Sequence, residues 1–294
     1  MRAIVKATVC MVLGSAPLAF AQLPLPTPTP PPLPPPPVTI PVALTVSGNE
    51  AQGTVVLPGD IGLDLTIRFE KVVGLTPSAL DASASIVNPL DPALLSRLLT
   101  LGNLSVPAAF PVLLRIAPSE SSALTFTGLY TLSLHTHNLA LDPLLPLSLV
   151  KSPDGGSFRD ITRSEGIGSY RDDGGGGDFS EFLIAVDLRP IDTVIAGKFD
   201  DVQAVINDNA ASMPAAVVSA LQAQLSQART LYQSGATWDA IEEMGAFSNY
   251  VKDHSGADIP DVWRANCAPV VNVAGLLRSA ADTLKFSLDR KTSH

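Results

Sequence analysis

Two histidines one residue apart, His135 and His137, are the first candidates for chemistry in this sequence. On a β-strand, side chains at positions i and i+2 project from the same face, so the two imidazoles would lie side by side. Imidazole nitrogens bind zinc and copper, and Asp142 follows as a third candidate ligand. The simpler interpretation is a polar, solvated strand face, because threonines and a serine share it. The alternative is a site for one zinc ion at His135, His137 and Asp142.

A run of four glycines at residues 174–177 stands between acidic residues and is the second candidate. A phosphate-binding loop would need a lysine and a following helix, whereas Asp173 and Asp178 would repel the anion. A calcium ion is the alternative ligand, although the aspartate spacing of known calcium loops is absent. We therefore expect a mobile, solvated turn between a strand that ends near Arg171 and a strand that begins at Ser180.

Motifs for other catalytic chemistries are absent from the sequence. It contains no G-x-S-x-G nucleophile elbow and no cysteine close to a histidine. Glu242 and Glu243 are adjacent, so their carboxylates would diverge on a helix and could not act as a pair. The sequence therefore predicts a non-enzymatic binding or structural module without a cofactor. The alternative is a metal-dependent hydrolase that uses His135 and His137.

The first 21 residues have the three parts of a bacterial signal peptide. Arg2 and Lys6 supply the positive region, residues 7–20 are almost wholly apolar, and Ala19 and Ala21 are the small residues that a signal peptidase requires. We expect cleavage near Ala21 and a periplasmic or extracellular location. No later apolar run reaches the roughly 18 residues needed to span a bilayer, so we expect no membrane span.

Residues 22–37 form a linker that is rich in proline. Ten of the fourteen residues from Pro24 to Pro37 are proline. Such a run lacks backbone donors and favours an extended polyproline II conformation, so we expect a stiff spacer rather than part of the fold.

The chain is acidic, with 28 acidic residues against 19 basic ones and a formal net charge of −9. Loss of Arg2 and Lys6 with the signal peptide would make it two units more negative. Because this charge repels phosphate backbones and anionic lipids, we expect no nucleic-acid partner. We expect a protein or another envelope component instead.

Residues 38–190 show the alternating pattern of β-strands. Leu63, Leu65, Ile67 and Phe69 alternate with polar residues, which is typical of a strand with one buried face. The same period recurs at residues 124–134 and 181–189, with shorter candidate strands between them. Six or more strands without long intervening helices predict an antiparallel β-sandwich, either Ig-like or an open barrel.

The pattern changes to helical spacing after Pro190. Residues 191–211 predict a helix that connects two regions, and residues 212–290 predict three amphipathic helices joined by short links. The complete expectation is an α+β protein in which a β-sandwich domain precedes a three-helix bundle.

The helical segment resembles the small FIMAH-type module that occurs near the C-termini of many secreted bacterial proteins. The positions that carry this resemblance are Leu221, Leu225, Ala228, Gly235, Ala240, Met244, Ala246, Phe247, Val251 and Gly256. More widely, the chain is similar to a family of uncharacterised exported proteobacterial proteins, through residues 158–162, 168–171, 179–182 and 272–275. The resemblance implies an exported protein with a β-plus-helical architecture, and it implies no reaction.

Overall fold

A computed structural model of the chain describes residues 38–98, 102–140, 146–166, 169–266 and 271–293. The predicted signal peptide at residues 1–21 and the predicted linker at residues 22–37 lie outside these ranges. So does Asp142, the third residue of the predicted metal site. The described residues all belong to one compact unit.

Two antiparallel sheets contain the strands of the described residues. The first sheet has, in spatial order, β1 (Thr39–Pro41), β5 (Ala82–Ile86), β7 (Val112–Ile116), β13 (Glu181–Asp187), β9 (Leu147–Ser152) and β10 (Arg159–Asp160), with β6 (Leu104–Ser105) beside β13. The second sheet has β11 (Thr162–Gly166), β12 (Ser169–Gly176), β8 (Thr125–Ala140), β4 (Ile61–Val73), β3 (Glu50–Leu57) and β2 (Leu44–Ser47), with β14 (Val262–Arg264) beside β8. Two short helices, α1 (Pro77–Leu80) and α2 (Pro92–Leu98), lie in connections between strands.

Both sheets contribute one face to a common apolar core. In β4 the predicted inward residues, from Leu63 to Phe69, are at most 1% exposed. Phe69 contacts Phe126 and Tyr130 of the neighbouring strand β8, at ring-centroid distances of 5.4 and 6.0 Å. The alternating pattern therefore identified the buried face correctly, because a period of two places every second side chain on the same side of a strand.

Four long helices come after β13 in the chain, with β14 between the last two, and share a second core. They are α3 (Ile191–Asp208), α4 (Ala215–Gln233), α5 (Thr237–Asp253) and α6 (Val273–Thr292). The α+β class is confirmed, whereas the three-helix bundle is not, because α3 contributes Ile195, Phe199, Val202 and Ile206 to the same core. The domain boundaries at residues 190 and 211 stay predictions. Among the helices in the described ranges, none has the length and apolar character that a membrane crossing requires.

Helix α6 packs against the second sheet as well as against the other helices. Besides its apolar face, it buries a line of small residues spaced four apart. These are Gly275, Ser279, Thr283 and Ser287. Gly275 and Ser279 lie against the second sheet, whereas Thr283 and Ser287 accept hydrogen bonds from Lys198 of α3.

The glycine run lies beneath α6, so the predicted mobile turn was wrong. Gly174 to Gly176 belong to β12, and all four glycines are buried. A Cβ atom on Gly177 would lie 2.8 Å from both the carbonyl oxygen of Asn272 and the amide nitrogen of Leu276. Glycine is needed here because the backbone of α6 occupies the space of a side chain.

Candidate metal centre

Strands β4 and β8 bring the two histidines next to an aspartate that the sequence did not single out. In the antiparallel register, Asp64 pairs directly with His135. Leu134 and Thr136 point into the interior and are buried, so the intervening residues of β8 must face outward. Asp64, His135 and His137 therefore lie together on the outer face of the second sheet.

The three side chains form a close cluster. One carboxylate oxygen of Asp64, Oδ2, lies 2.8 Å from Nε2 of His137 and 3.3 Å from Nδ1 of His135. The imidazole rings are 5.5 Å apart between centroids. One ligand atom from each residue can be chosen so that all three atoms lie within 4.8 Å of one another. A tetrahedral metal ion with bonds of about 2.0–2.2 Å separates its ligand atoms by about 3.3–3.6 Å, so small rotations of these side chains would bring the three atoms to a metal.

Gly62 makes room for the ring of His137. A Cβ atom at position 62 would lie 2.2 Å from Nδ1 of His137, which is far inside contact distance. The backbone amide of Gly62 donates a hydrogen bond of 2.7 Å to Oδ1 of Asn138. The end of β8 is thus fixed against the start of β4, and the imidazole packs over a residue without a side chain.

Asp64 is held in its charged form. The hydrogen bond with His137 lowers the pKa of the Asp64 carboxyl, and a second hydrogen bond, 2.8 Å from the hydroxyl of Thr54, acts in the same direction. A carboxylate is the form that binds a cation. The cluster therefore presents one anionic oxygen and two imidazole nitrogens, a donor set that suits zinc better than calcium, which prefers oxygen ligands.

The structure brings together two of the three residues predicted for the site. His135 and His137 share a face as expected, and Asp142 lies outside the described residues. Asp64 was missed because it is 71 positions from His135 in the sequence, and only strand pairing makes them neighbours. The alternation of β4, which places Asp64 on the outward face, was the one signal that could have found it.

A groove beside the cluster crosses the second sheet. It has a volume of about 440 Å³, and Asp64, His135, Ser164, Glu165 and Asp173 are among its lining residues. A second depression of about 320 Å³ shares Ser164 and Asp173 with it and extends to α6. The cluster therefore borders a continuous polar surface.

Glu165 is the unusual acid of this groove. Its side chain is 19% exposed, and its Oε1 accepts no hydrogen bond from any described residue, although Arg290 lies 3.6 Å away. Burial raises the pKa of the Glu165 carboxyl. A carboxyl of this kind can hold a proton closer to neutral pH than an exposed glutamate.

Comparison with known proteins places the chain in a family. A family model described as a family of unknown function matches residues 9–292. The chain belongs to the DUF6689 family. Membership confirms the predicted resemblance to uncharacterised proteins and assigns no reaction. No curated protein and no solved structure matches the chain.

Proposed function

We propose that the protein is an exported, non-enzymatic binding module of the bacterial envelope and that it holds one zinc ion at Asp64, His135 and His137. The observation that carries the proposal is the convergence of three ligand atoms within 4.8 Å on two paired strands. Strands of a sheet are rigid supports, so the ligands are positioned before a metal arrives. Because little free energy is lost on ordering such ligands, this cluster should bind a metal more tightly than a chance group of surface side chains.

Zinc is the metal that the donor set favours. Two imidazole nitrogens and one carboxylate oxygen match the three-ligand sites that zinc occupies in proteins. Three protein ligands leave a fourth position open for water or for a donor atom of a partner. The metal would then mark one end of the recognition surface formed by the polar groove.

The remaining parts of the proposal concern export and architecture. The signal peptide at residues 1–21 would deliver the chain across the membrane, and the proline-rich linker at residues 22–37 would separate the body from its N-terminus. The shared core of the two sheets supports a β-sandwich body. The helices, part of which resemble a FIMAH-type module, would stabilise the sheet that carries the site, because α6 packs on it.

A metal-dependent hydrolase is the second candidate, and Glu165 is the observation that favours it. In zinc hydrolases three protein ligands leave a position for a water molecule, and a nearby carboxyl moves its proton. Glu165 lines the same groove as Asp64 and His135 and has a raised pKa. Zinc-dependent cleavage of chromogenic ester or phosphate substrates that is lost in Glu165→Gln would favour this candidate over the binding module.

The test of the proposed function is zinc titration of the metal-free protein by calorimetry. We expect one zinc ion per chain, and about a tenfold or greater loss of affinity in His135→Ala and in His137→Ala. His254→Ala is the matched control, because His254 lies at the end of α5 and contacts Tyr250 rather than the cluster. Equal zinc affinity in His135→Ala and His254→Ala would contradict the proposal.

A further inference from the structure

A second site, separate from the metal cluster, lies where the first sheet meets the helices. It is a cavity of about 130 Å³ between β9, β10, β12, α3 and α6. An engineered protein cavity of about 150 Å³ accommodates benzene, so this somewhat smaller volume admits a short aliphatic side chain, while the polar groups of a ligand would stay at the opening. Its walls combine apolar side chains, such as Ile161, Val205 and Leu276, with charged groups.

Thr283 provides the first indication that the cavity is built for a ligand. It lines the cavity and is 3% exposed, yet its hydroxyl has no hydrogen-bond partner among the described residues. Its neighbour Ser279 is fully engaged, donating a hydrogen bond of 2.6 Å to the carbonyl oxygen of Gly175. Buried polar groups are nearly always hydrogen-bonded, so an unpaired hydroxyl on a residue of the cavity wall indicates that a partner is missing.

Two of the three cations at the cavity are already neutralised within the protein. Lys198 forms a buried ion pair of 2.6 Å with Asp160 and donates hydrogen bonds to Ser287 and to the carbonyl oxygen of Thr283. Lys151 is 1% exposed and pairs with Asp178. Each lysine is therefore neutralised by its own carboxylate, and neither pair presents a net charge to a ligand.

Arg159, Asp201 and Asp208 are the charged groups of the cavity lining that remain. The guanidinium of Arg159 approaches Asp178 only to 3.5 Å and is 34% exposed, so most of its donors are available. Asp201 lies at the exposed edge of the cavity and forms no hydrogen bond or salt bridge with a described residue. One cation and two anions therefore stand at the opening of a partly apolar cavity.

We propose that this cavity binds a small zwitterionic α-amino acid. Its carboxylate pairs with Arg159 and accepts the hydroxyl proton of Thr283, and its ammonium group pairs with Asp201. Its side chain packs against Ile161, Val205 and Leu276. The assignment uses the general rule that small-molecule sites are concave and mostly apolar, with a few polar groups that fix the orientation of the ligand.

The first test uses calorimetry to compare three probes that share the same branched four-carbon unit. L-valine carries both charged groups, isovalerate lacks the ammonium group, and isobutylamine lacks the carboxylate. We expect saturable binding of L-valine and about tenfold or weaker binding of the other two, since each loses a charge-assisted contact. No heat with L-valine up to about 10 mM, or equal affinity for isovalerate, would overturn the proposal.

The second test uses variants of the cavity and one matched control. Thr283→Val keeps the shape and removes the unpaired hydroxyl, so we expect it to fold normally and to bind L-valine several-fold more weakly. Arg159→Gln is expected to lose about tenfold or more in affinity. Thr230→Val on the exposed face of α4 is the control, and it should bind like the wild type. Wild-type affinity in both cavity variants would overturn the proposal.

Discussion

Ser279 and Gly175 join α6 to the second sheet, because the hydroxyl of Ser279 donates a hydrogen bond of 2.6 Å to the carbonyl oxygen of Gly175. The helix reaches the strand closely enough for this contact because residues 174–176, at the end of β12, are glycines. It lies beside the point where a Cβ atom on Gly177 would clash with the backbone of α6. The glycine run therefore allows the backbone of the second sheet to pack directly against α6.

Gly177→Ala should destabilise the protein by about 1–3 kcal/mol, because the added methyl group meets backbone atoms that cannot move out of its way. Gly197→Ala is the matched control, since Gly197 lies within α3 and has no atom within 4 Å of its Cβ position. The control should gain roughly 0.5–1 kcal/mol from higher helix propensity. Urea denaturation measures both changes, and an unaffected Gly177→Ala would contradict the close packing.

Lys198→Met should cost about 3–5 kcal/mol, because it leaves the carboxylate of Asp160 buried without its cation. Lys198 and Asp160 are each about 5% exposed, so water cannot replace the missing partner. The double variant Lys198→Met with Asp160→Leu removes both charges and should recover part of the lost stability. Thermal unfolding measures both variants. A double variant less stable than Lys198→Met would show that the pair does not act as a unit.

Between about pH 8 and pH 10, the free energy of unfolding of the wild type should increase relative to that of Lys151→Met. Burial lowers the pKa of Lys151 to about 8, so in this interval the unfolded chain binds a proton that the folded chain has lost. Stability rises with pH wherever the unfolded state binds more protons, and the gain over this interval is about 2 kcal/mol.

The upper limit of this interval is the pKa of about 10.4 at which a lysine loses its proton in the unfolded chain. Burial raises the pKa of Tyr130 well above its ordinary value, so ionisation of this tyrosine in the unfolded chain lowers the stability of the wild type and of Lys151→Met alike above about pH 10. Lys71→Met, at an exposed position of β4, is the control and should keep the wild-type slope. The measurement is chemical denaturation at a series of pH values. Equal slopes in the wild type and Lys151→Met would contradict the prediction.

The sequence predicted what depends on local periodicity. The alternation from Leu63 to Phe69 identified a buried strand face, and the i and i+2 spacing placed His135 and His137 together. The sequence could not identify Asp64 as a neighbour of these histidines, because the register between β4 and β8 is decided by pairing between distant segments of the chain. The glycine run was interpreted as a turn, because glycine permits both unusual backbone angles and close approach, and only the position of α6 distinguishes them.

Zinc at about 100 times its dissociation constant should stabilise the folded protein by about 2.7 kcal/mol, because it binds the folded state alone. The melting temperature should rise on zinc addition in the wild type and rise by about half as much or less in His137→Ala. Asp64→Asn should show a smaller rise than the wild type, since the amide supplies a neutral ligand in place of an anionic one. A rise of the same size in His137→Ala would place the zinc elsewhere.

Anomalous diffraction at the zinc edge, from crystals of the zinc-loaded protein, locates the metal directly. We predict one peak about 2.0–2.2 Å from a nitrogen of His135, a nitrogen of His137 and an oxygen of Asp64. A zinc peak bound to other residues, or crystals of zinc-treated protein without a peak at this cluster, would contradict the metal site at the centre of the proposed function.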